Sequence, residues 1–258
     1  MWRGFDKCDA PGTGTMSTWW SSSPYYYVGI YVGGDNRACS NTNLTSSWVS
    51  TVNGQGWSFI PFWVGQQAPC TSYAHTFSYD PATAESEGST AADHAISAAS
   101  NLGFTNSIVY FDLEAFNTGN SSCLTAAEAF VKGWVTEMKN KGWTPALYGS
   151  SSGSAMYDMY ELGSTYRPTD ADLADYSHAW NSPWDIYQVP NSAWEYDHRI
   201  HQYNADSSCE TWGGICLKVD RNCAIGPTAK AWSFSIEGSE PSGSSESDGP
   251  SEDVPPCN

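Results

Sequence analysis

Two carboxylic acids follow an apolar stretch near the middle of the chain, at a spacing that lets them act together. The stretch reads Ser107-Ile-Val-Tyr-Phe-Asp-Leu-Glu-Ala, which places the acids at positions 112 and 114. In a β-strand, residues i and i+2 point to the same side about 6.6 Å apart, so Asp112 and Glu114 project together. Neighbouring carboxylates repel, which raises the pKa of one and keeps it protonated near neutral pH. A proton donor and a charged carboxylate are the two groups that glycoside hydrolysis needs.

The same pair also fits two other interpretations, namely solvated acids at a strand end or ligands of a metal ion. Two further acids favour a catalytic site, because each lies at the end of an apolar stretch: Asp6 in Gly4-Phe5-Asp6 and Asp220 in Val219-Asp220-Arg221-Asn222. Each of these is alternatively a turn or cap residue. The chain has 5 His and no Cys-x-x-Cys pair, which disfavours a zinc cluster. We therefore expect chemistry without a metal or cofactor.

Aromatic and amide side chains at the ends of later strands are suited to binding a sugar. Aromatic rings stack on the apolar faces of sugars while their polar edges form hydrogen bonds. Ordinary packing in a barrel explains any single one of them equally well. The candidate substrate-binding residues are Tyr148, Trp180, Gln202 and Tyr203.

Strand and helix patterns alternate along the first two thirds of the chain, which indicates parallel β/α units. Strands are expected at Trp2–Lys7, Tyr25–Val32, Ser58–Val64, Ser107–Leu113 and Thr144–Gly149. Helices are expected near residues 46–52, 90–102, 126–141 and 154–162, the third of these capped by Thr125 and Glu128. Later, only short strands are expected, at His178–Asn181, Ile186–Val189, Ile200–Tyr203 and Leu217–Asn222. The pattern predicts an α/β fold, an irregular TIM-like β/α barrel with helices missing in the last third, whose four acids share one mouth.

Composition divides the chain of 258 residues into two parts. Residues 1–235 hold the apolar content of a barrel, whereas residues 236–258 are rich in Ser, Pro and acids and predict a disordered tail or linker. The formal charge of −17 disfavours nucleic acid and anionic membranes as partners. No apolar run is long enough to span a membrane. Cys257 can pair with the body or with another chain in a disulfide-linked assembly, and the tail can link the body to a longer chain.

The cysteines and two glycosylation sequons favour a secreted or extracellular protein. The sequons begin at Asn43 and Asn120, and the cysteines number 8. We expect Cys39 to pair with Cys70, because the loops after the second and third strands lie side by side. Cys209 and Cys216 lie in one loop and are expected to pair. The remaining four cysteines can pair in three ways.

The chain resembles the glycoside hydrolase family 25 lysozymes and, more closely, their relatives, the glycoside-hydrolase-like domain of unknown function 1906. The resemblance covers about residues 2–235 and lies in the order of short motifs: Gly4-Phe5-Asp6, Asp112-Leu113-Glu114, Leu147-Tyr148, Ala179-Trp180, His201-Gln202-Tyr203 and Val219-Asp220-x-Asn222. It implies that Glu114 is the general acid and that Asp112 orients or stabilises a reacting acetamido group or water. It also implies that Asp6 and Asp220 line the site. Lys7-Cys8 and the Cys-rich insertions at 35–73 and 204–223 depart from the lysozyme pattern.

Two functions follow from these observations. The first is a secreted glycoside hydrolase that cleaves a cell-wall or extracellular polysaccharide by acid catalysis. The second is a catalytically silent carbohydrate-binding or structural module on the same fold, because a fold does not fix a function. In both cases the expected partner is a carbohydrate polymer.

Overall fold

The computed structural model describes residues 1–153, 155–177, 182–205, 208–225 and 257. The strands in these residues are Trp2–Asp6 (β1), Tyr27–Gly33 (β2), Ser58–Trp63 (β3), Ile108–Leu113 (β4), Thr144–Ser150 (β5), Asp170–Ala174 (β6), Arg199–Ala205 (β7), Glu210–Trp212 (β8), Ile215–Leu217 (β9) and Asp220–Ala224 (β10). Eight of them form a closed barrel in the order β1-β10-β7-β6-β5-β4-β3-β2. Neighbours are parallel, except that β10 runs antiparallel to both β1 and β7.

Helices connect the first six strands. They span Thr13–Ser22 (α1), Ser46–Gly54 (α2), Pro81–Asn101 (α3), Ser121–Asn140 (α4), Ala155–Tyr160 (α5) and Gly163–Tyr166 (α6). In the described part of the chain no helix follows β6, and a β8–β9 hairpin lies between β7 and β10. The predicted α/β barrel with helices missing in its last third is therefore confirmed. Among the described residues, no helix has both the length and the apolar character needed to cross a membrane.

Apolar side chains fill two layers, one inside the barrel and one between the sheet and the helices. The larger outer layer includes Trp19, Phe59, Phe111 and Trp134. The inner layer comprises Trp2, Tyr27, Ile60, Phe62, Ile108, Tyr110, Ala146, Ile200 and Ala224. Because side chains alternate along a strand, the inward positions of β1, β4 and β6 also carry acids toward the barrel axis.

Two glycines let α3 and α4 pack backbone against backbone. A Cβ atom at Gly133 would lie 1.9 Å from the Glu85 carbonyl oxygen, and one at Gly88 would lie 2.0 Å from the Phe130 carbonyl oxygen. Neither distance is possible for a real side chain. These two positions therefore fix how closely the two longest helices approach.

Several element boundaries differ from the sequence prediction. Helix α4 begins at Ser121, where the Asn120 side chain accepts a hydrogen bond from the Cys123 amide, so the predicted Thr125 cap is wrong. Helix α3 begins at Pro81, with Asp80 as its cap, nine residues before the predicted start at residue 90. In both cases the true cap lies upstream of the apolar periodicity that the prediction followed.

The prediction missed helices α1 and α6, strand β6 and the β8–β9 hairpin, and one predicted strand is absent. Helix α1 is rich in Thr, Ser and Gly, whose helix propensity is low, and burial of Met16 and Trp19 stabilises it instead. Strand β6 reads Asp-Ala-Asp-Leu-Ala, which lacks the β-branched residues typical of strands. Residues 186–189 form turns, so the predicted strand there is wrong. The predicted strand at 178–181 lies outside the described residues.

The disulfides correct one predicted pair and confirm another. Cys39 is bonded to Cys8, and Cys70 is bonded to Cys123, so the predicted bond between Cys39 and Cys70 is wrong. The first bond joins the loops that follow the neighbouring strands β1 and β2, and the second joins the loop after β3 to the first turn of α4, which follows the neighbouring strand β4. The predicted bond between Cys209 and Cys216 is confirmed.

Cys257 is bonded to Cys223 on β10 and is buried. Of the two pairings left open for Cys257, the structure shows the bond within the chain, and a disulfide-linked assembly through this cysteine is wrong. The other residues of the expected tail, 236–256 and 258, lie outside the described residues.

Candidate active site

The four predicted acids lie at one end of the barrel. Asp6 is the last residue of β1 and pairs in register with Asp220, the first residue of the antiparallel strand β10. Asp112 lies one residue before the end of β4, and Glu114 directly follows that strand. Because β1 and β4 run in the same direction around the barrel, the structure brings all four acids to the mouth formed by the carboxyl ends of the parallel strands.

Asp6 forms the centre of a buried hydrogen-bond network. One of its oxygens accepts from the Tyr31 hydroxyl at 2.8 Å. The other accepts from the Gln202 amide at 2.8 Å and the Asn222 amide at 2.9 Å. A side-chain hydrogen bond also joins Asp6 to Asp220, and burial raises the pKa of Asp6 although these hydrogen bonds lower it. Asp6 is fully buried, so it organises the mouth rather than facing a ligand.

Asp112 and Glu114 differ in how far they reach into solvent. Asp112 is 4% exposed, and its Oδ1 has no hydrogen-bond partner among the described residues. Burial raises the pKa of Asp112 well above its ordinary value, and repulsion from Glu114, Asp6 and Asp172 adds to the increase. Glu114 is half-buried, and burial raises its pKa as well. Glu114 is therefore the member of the pair that a ligand at the mouth can contact.

The two groups hold a proton as a pair. Burial and the charges of Glu114, Asp6 and Asp172 raise the pKa of Asp112, and burial raises the pKa of Glu114. Because the carboxyl groups repel each other when both are charged, the pair keeps one proton over a range of pH. The expected state, a protonated Glu114 beside a charged Asp112, stays a prediction.

Tyrosines surround the carboxylates. The Tyr148 hydroxyl donates to the Gln202 side-chain oxygen at 2.8 Å, and the Tyr176 hydroxyl contacts the same oxygen. Tyr176 is 53% exposed. Tyr73 is 41% exposed, and partial burial together with the charges of Glu114 and Asp112 raises its pKa. Tyr148 and Gln202 thus lie where they were predicted, and two exposed tyrosines add aromatic surface at the mouth.

Tyr203 lies elsewhere. It follows the inward-facing Gln202 on β7, so it points to the outside of the barrel. There it lines a cavity of about 290 Å³ with Arg3, Tyr25 and Arg221. The prediction that Tyr203 binds substrate at the mouth is therefore wrong. Trp180 lies outside the described residues.

The family model of the Rv2525c-like glycoside hydrolase-like domain matches residues 17–224. The chain belongs to this family. The match covers most of the barrel and includes β4, Asp112 and Glu114. No curated protein matches the sequence significantly.

Solved structures of similar fold include both a family relative and lysozyme-type enzymes. The Tat-secreted protein Rv2525c from Mycobacterium tuberculosis, in complex with L-tartrate, has a TM-score of 0.59 at 15% identity, over 88% of this chain and 96% of that one. The catalytic domain of endolysin ply40 from bacteriophage P40 of Listeria monocytogenes has a TM-score of 0.56 at 13% identity, over 91% and 98%. A family 25 glycosyl hydrolase from Bacillus anthracis has a TM-score of 0.51 at 13% identity, over 88% and 89%. This member of the Rv2525c-like family therefore shares a glycoside hydrolase-like fold with lysozymes.

In this family member, the exposed Tyr73 and Tyr176 and four further residues of the site were not predicted from the sequence. In β2, residues 27 and 29 face the barrel interior, so strict alternation of side chains could have placed Tyr31 there as well. Asn222 belongs to a motif in which only Asp220 was assigned a role. Asp172 lies on the unpredicted strand β6, is fully buried, and has no hydrogen-bond partner for either carboxyl oxygen among the described residues. Gln67 lies in the loop after β3, and the sequence of a loop does not predict which distant residues its side chains contact.

The two sequons have different surroundings. Asn43 is exposed, and its amide donates to the Ala10 carbonyl oxygen at 2.9 Å. Asn120 is the cap of α4, and its side-chain oxygen accepts from the Cys123 amide at 3.2 Å. Glycosylation at either residue stays a prediction. No group of three or more His, Cys, Asp or Glu suited to holding a metal ion occurs in the described part of the chain.

Proposed function

We propose that the protein is a glycoside hydrolase that cleaves a cell-wall or extracellular polysaccharide, with Glu114 as its general acid. The observation that carries the proposal is the asymmetry of the carboxylate pair at the barrel mouth. Glu114 is half-buried at the mouth, Asp112 two residues before it is 4% exposed, and burial raises the pKa of both groups. A protonatable group facing the ligand beside a second carboxylate is the arrangement that glycosidic cleavage uses.

In the proposed reaction, Glu114 donates its proton to the glycosidic oxygen while the bond from that oxygen to the anomeric carbon breaks. The electron pair of the bond leaves with the oxygen, which departs as an alcohol. A water molecule then adds its oxygen to the anomeric carbon and gives its surplus proton to a carboxylate of the site. Asp112, once charged, stabilises the positive charge that develops on the sugar.

Substrate binding favours the protonation state that this reaction needs. A bound sugar covers Glu114, and the loss of water favours its neutral form. An acetamido N–H that donates to the Oδ1 atom of Asp112 favours the charged form of Asp112. Both effects favour a neutral Glu114 beside a charged Asp112. The proposal therefore favours an N-acetylated sugar next to the bond that breaks.

The alternative is a silent carbohydrate-binding module, and the burial of the acids is the observation that favours it. Asp6 is fully buried and Asp112 is 4% exposed, so Glu114 is the acid of this trio that a ligand reaches without rearrangement. The exposed Tyr73 and Tyr176 would then provide the binding surface.

A substrate screen separates the two functions. Wild-type protein is incubated with peptidoglycan, chitin oligomers and a neutral glycan, and reducing ends and bound protein are measured in parallel. Release of reducing ends from an N-acetylated polymer supports the hydrolase. Binding without release from any substrate supports the silent module and overturns the hydrolase.

We further propose that the protein is secreted and that residues 236–258 form an acidic tail to the body of residues 1–235. Four disulfides support an oxidising compartment, and the similar protein from Mycobacterium tuberculosis is Tat-secreted. Limited proteolysis with a Glu-specific protease tests the boundary. Cleavage confined to residues 237–253 supports it, and early cleavage within the barrel contradicts it.

A further inference from the structure

The Gln67 side chain completes the edge of β4 where strand β3 leaves it. The pairing of β3 with β4 ends at Trp63 and Phe111. Beyond that point, the Gln67 amide nitrogen donates to the Asp112 carbonyl oxygen at 2.8 Å, and its side-chain oxygen accepts from the Glu114 amide at 2.8 Å. These are the two backbone groups on either side of Leu113. The side-chain amide thus makes the two hydrogen bonds that the backbone N–H and C=O of one residue in a neighbouring parallel strand would make.

Gln67 is itself held rigidly. It is fully buried, and its backbone amide donates to the His75 carbonyl oxygen at 2.9 Å. Its carbonyl oxygen accepts from the Phe77 amide at 3.0 Å. Three residues further on, Cys70 is bonded to Cys123 in the first turn of α4. The loop is therefore fixed to the segments on both sides of Glu114. The position of Gln67 thus determines the position of the end of β4.

We propose that Gln67 is a positioning residue of the site, which keeps residues 112–114 extended so that both carboxylates face the mouth. Glu114 has left strand β4, and without these two bonds the backbone at its amide is free to turn. The side chains of residues i and i+2 share a side only while the backbone stays extended. The catalytic consequence rests on the proposed function, whereas the effect on the backbone does not.

Gln67→Met tests the proposal, because Met keeps the length and apolar volume of the side chain and removes both hydrogen bonds to residues 112 and 114. It also removes the hydrogen bond that the Gln67 side-chain amide donates to the Gly65 carbonyl oxygen at 3.2 Å. Gln66→Met is the matched control, since Gln66 is the adjacent residue and its amide donates to Thr76 rather than to β4. We expect Gln67→Met to lower kcat by about 10-fold to 100-fold, because misplacement of a catalytic group by about 1 Å costs this much. KM should change less than about 3-fold, and Gln66→Met should behave as wild type.

Amide hydrogen exchange gives a readout that does not need activity. In Gln67→Met the Glu114 amide should lose its protection, while amides in the paired part of β4, such as that of Tyr110, keep theirs. A Glu114 amide that stays protected overturns the proposal, whether or not the protein is an enzyme. If the wild type is inactive but the Glu114 amide loses protection, the positioning stands and the proposed hydrolase fails.

Gln67→Glu is the variant that tests the proposal if Gln67→Met does not fold. Glutamate still accepts from the Glu114 amide but cannot donate to the Asp112 carbonyl oxygen, and it adds a negative charge beside the pair. We expect protection of the Glu114 amide to persist, and the alkaline limb of the pH–rate profile to move to higher pH. A wild-type kcat with an unmoved pH profile in this variant contradicts the proposal.

Discussion

At the scale of single residues, burial decides what each acid does. Asp6 accepts three hydrogen bonds from neutral donors and organises the mouth. Asp112 is buried with one oxygen unpartnered among the described residues, and burial raises its pKa well above the ordinary value. Glu114 is half-buried and is the acid for which we propose contact with a ligand. The proposed roles therefore follow from the surroundings of three chemically similar groups.

The pH dependence of activity follows from the raised pKa of Glu114. Hydrolysis needs this group protonated, so activity should fall as pH rises through its pKa, which lies above the ordinary value for glutamic acid. At low pH, protonation of the second carboxylate removes the charge that stabilises the transition state. We expect a bell-shaped plot of kcat/KM against pH with its maximum on the acid side. A rate that keeps rising from pH 7 to pH 9 would contradict the assigned acid.

Asp172 should weaken the fold above acid pH. Burial raises its pKa well above the ordinary value, so the folded protein binds a proton that the unfolded chain releases. The stability from this group is complete below the unfolded pKa of about 4 and is lost as pH rises toward the folded pKa. Asp172→Asn removes this dependence. We expect its Tm at pH 7 to exceed that of the wild type by at least about 2 °C, corresponding to about 1 kcal/mol in a domain of this size. Equal or lower Tm values across the range pH 4–8 would show that Asp172 is not a destabilising acid.

The residues of the site were predictable to different degrees. Asp112 and Glu114 could be found because an apolar run ends at alternating acids. This local pattern identifies both the strand and the end of the strand at which the acids lie. Tyr203 was misplaced because its neighbour Gln202 faces inward, and a shift of one residue reverses the face of a strand. Gln67 could not be predicted, since its bonds to residues 112 and 114 span 45 and 47 positions of the chain.

At the scale of elements, the loops at the mouth are held together in pairs. One disulfide joins the loops after β1 and β2, and another joins the loop after β3 to the start of α4. These bonds limit the movement of the loops around the four acids. The pairing could not be derived from the sequence, because it depends on which loop end reaches which neighbour.

The longer disulfide loop should contribute more to stability. The bond between Cys70 and Cys123 closes a sequence separation of 53, and the bond between Cys209 and Cys216 closes one of 7. Chain entropy gives about 4 kcal/mol for the first and about 2.5 kcal/mol for the second. Urea unfolding of the two double Ser variants should therefore rank them in this order. A larger loss for the short loop would show that native packing, rather than loop entropy, sets the stability.

The contact of α3 with α4 predicts a sharp difference between two helix glycines. Gly133→Ala forces a Cβ against the Glu85 carbonyl oxygen, so we expect a loss of more than about 2 kcal/mol in unfolding free energy. Gly14 in α1 has no heavy atom within 4 Å of its Cβ position. Gly14→Ala should instead stabilise the protein by about 0.5 kcal/mol through helix propensity. Similar Tm values for the two variants would contradict the backbone packing.

Elements were predictable where their own residues stabilise them. Strands β2, β3, β4 and β5 are apolar, and they were placed to within two residues at each end. Helix α1 and strand β6 were not found, because tertiary burial of Trp19 and Leu173, rather than local propensity, holds them in place. The start of α4 was missed because Asn120 precedes the apolar face by several residues.

At the scale of the whole molecule, the barrel follows from the alternation of strands and helices in the first two thirds of the chain. Closure of the barrel does not follow from this alternation, since it depends on the antiparallel strand β10, which lies between β1 and β7. This reversal brings Asp220 beside Asp6 and so completes the ring of acids. The formal charge of −17 disfavours polyanions as partners of the protein.

The measurement that tests the central claim most directly compares the wild type with Glu114→Gln on the polymer that the wild type cleaves. Gln keeps the shape of the side chain and removes its proton. We predict that turnover falls by a factor on the order of 10²–10⁴ while binding to the polymer is retained. Turnover by Glu114→Gln at the wild-type rate would contradict the assignment of Glu114 as the acid and, with it, the proposed mechanism.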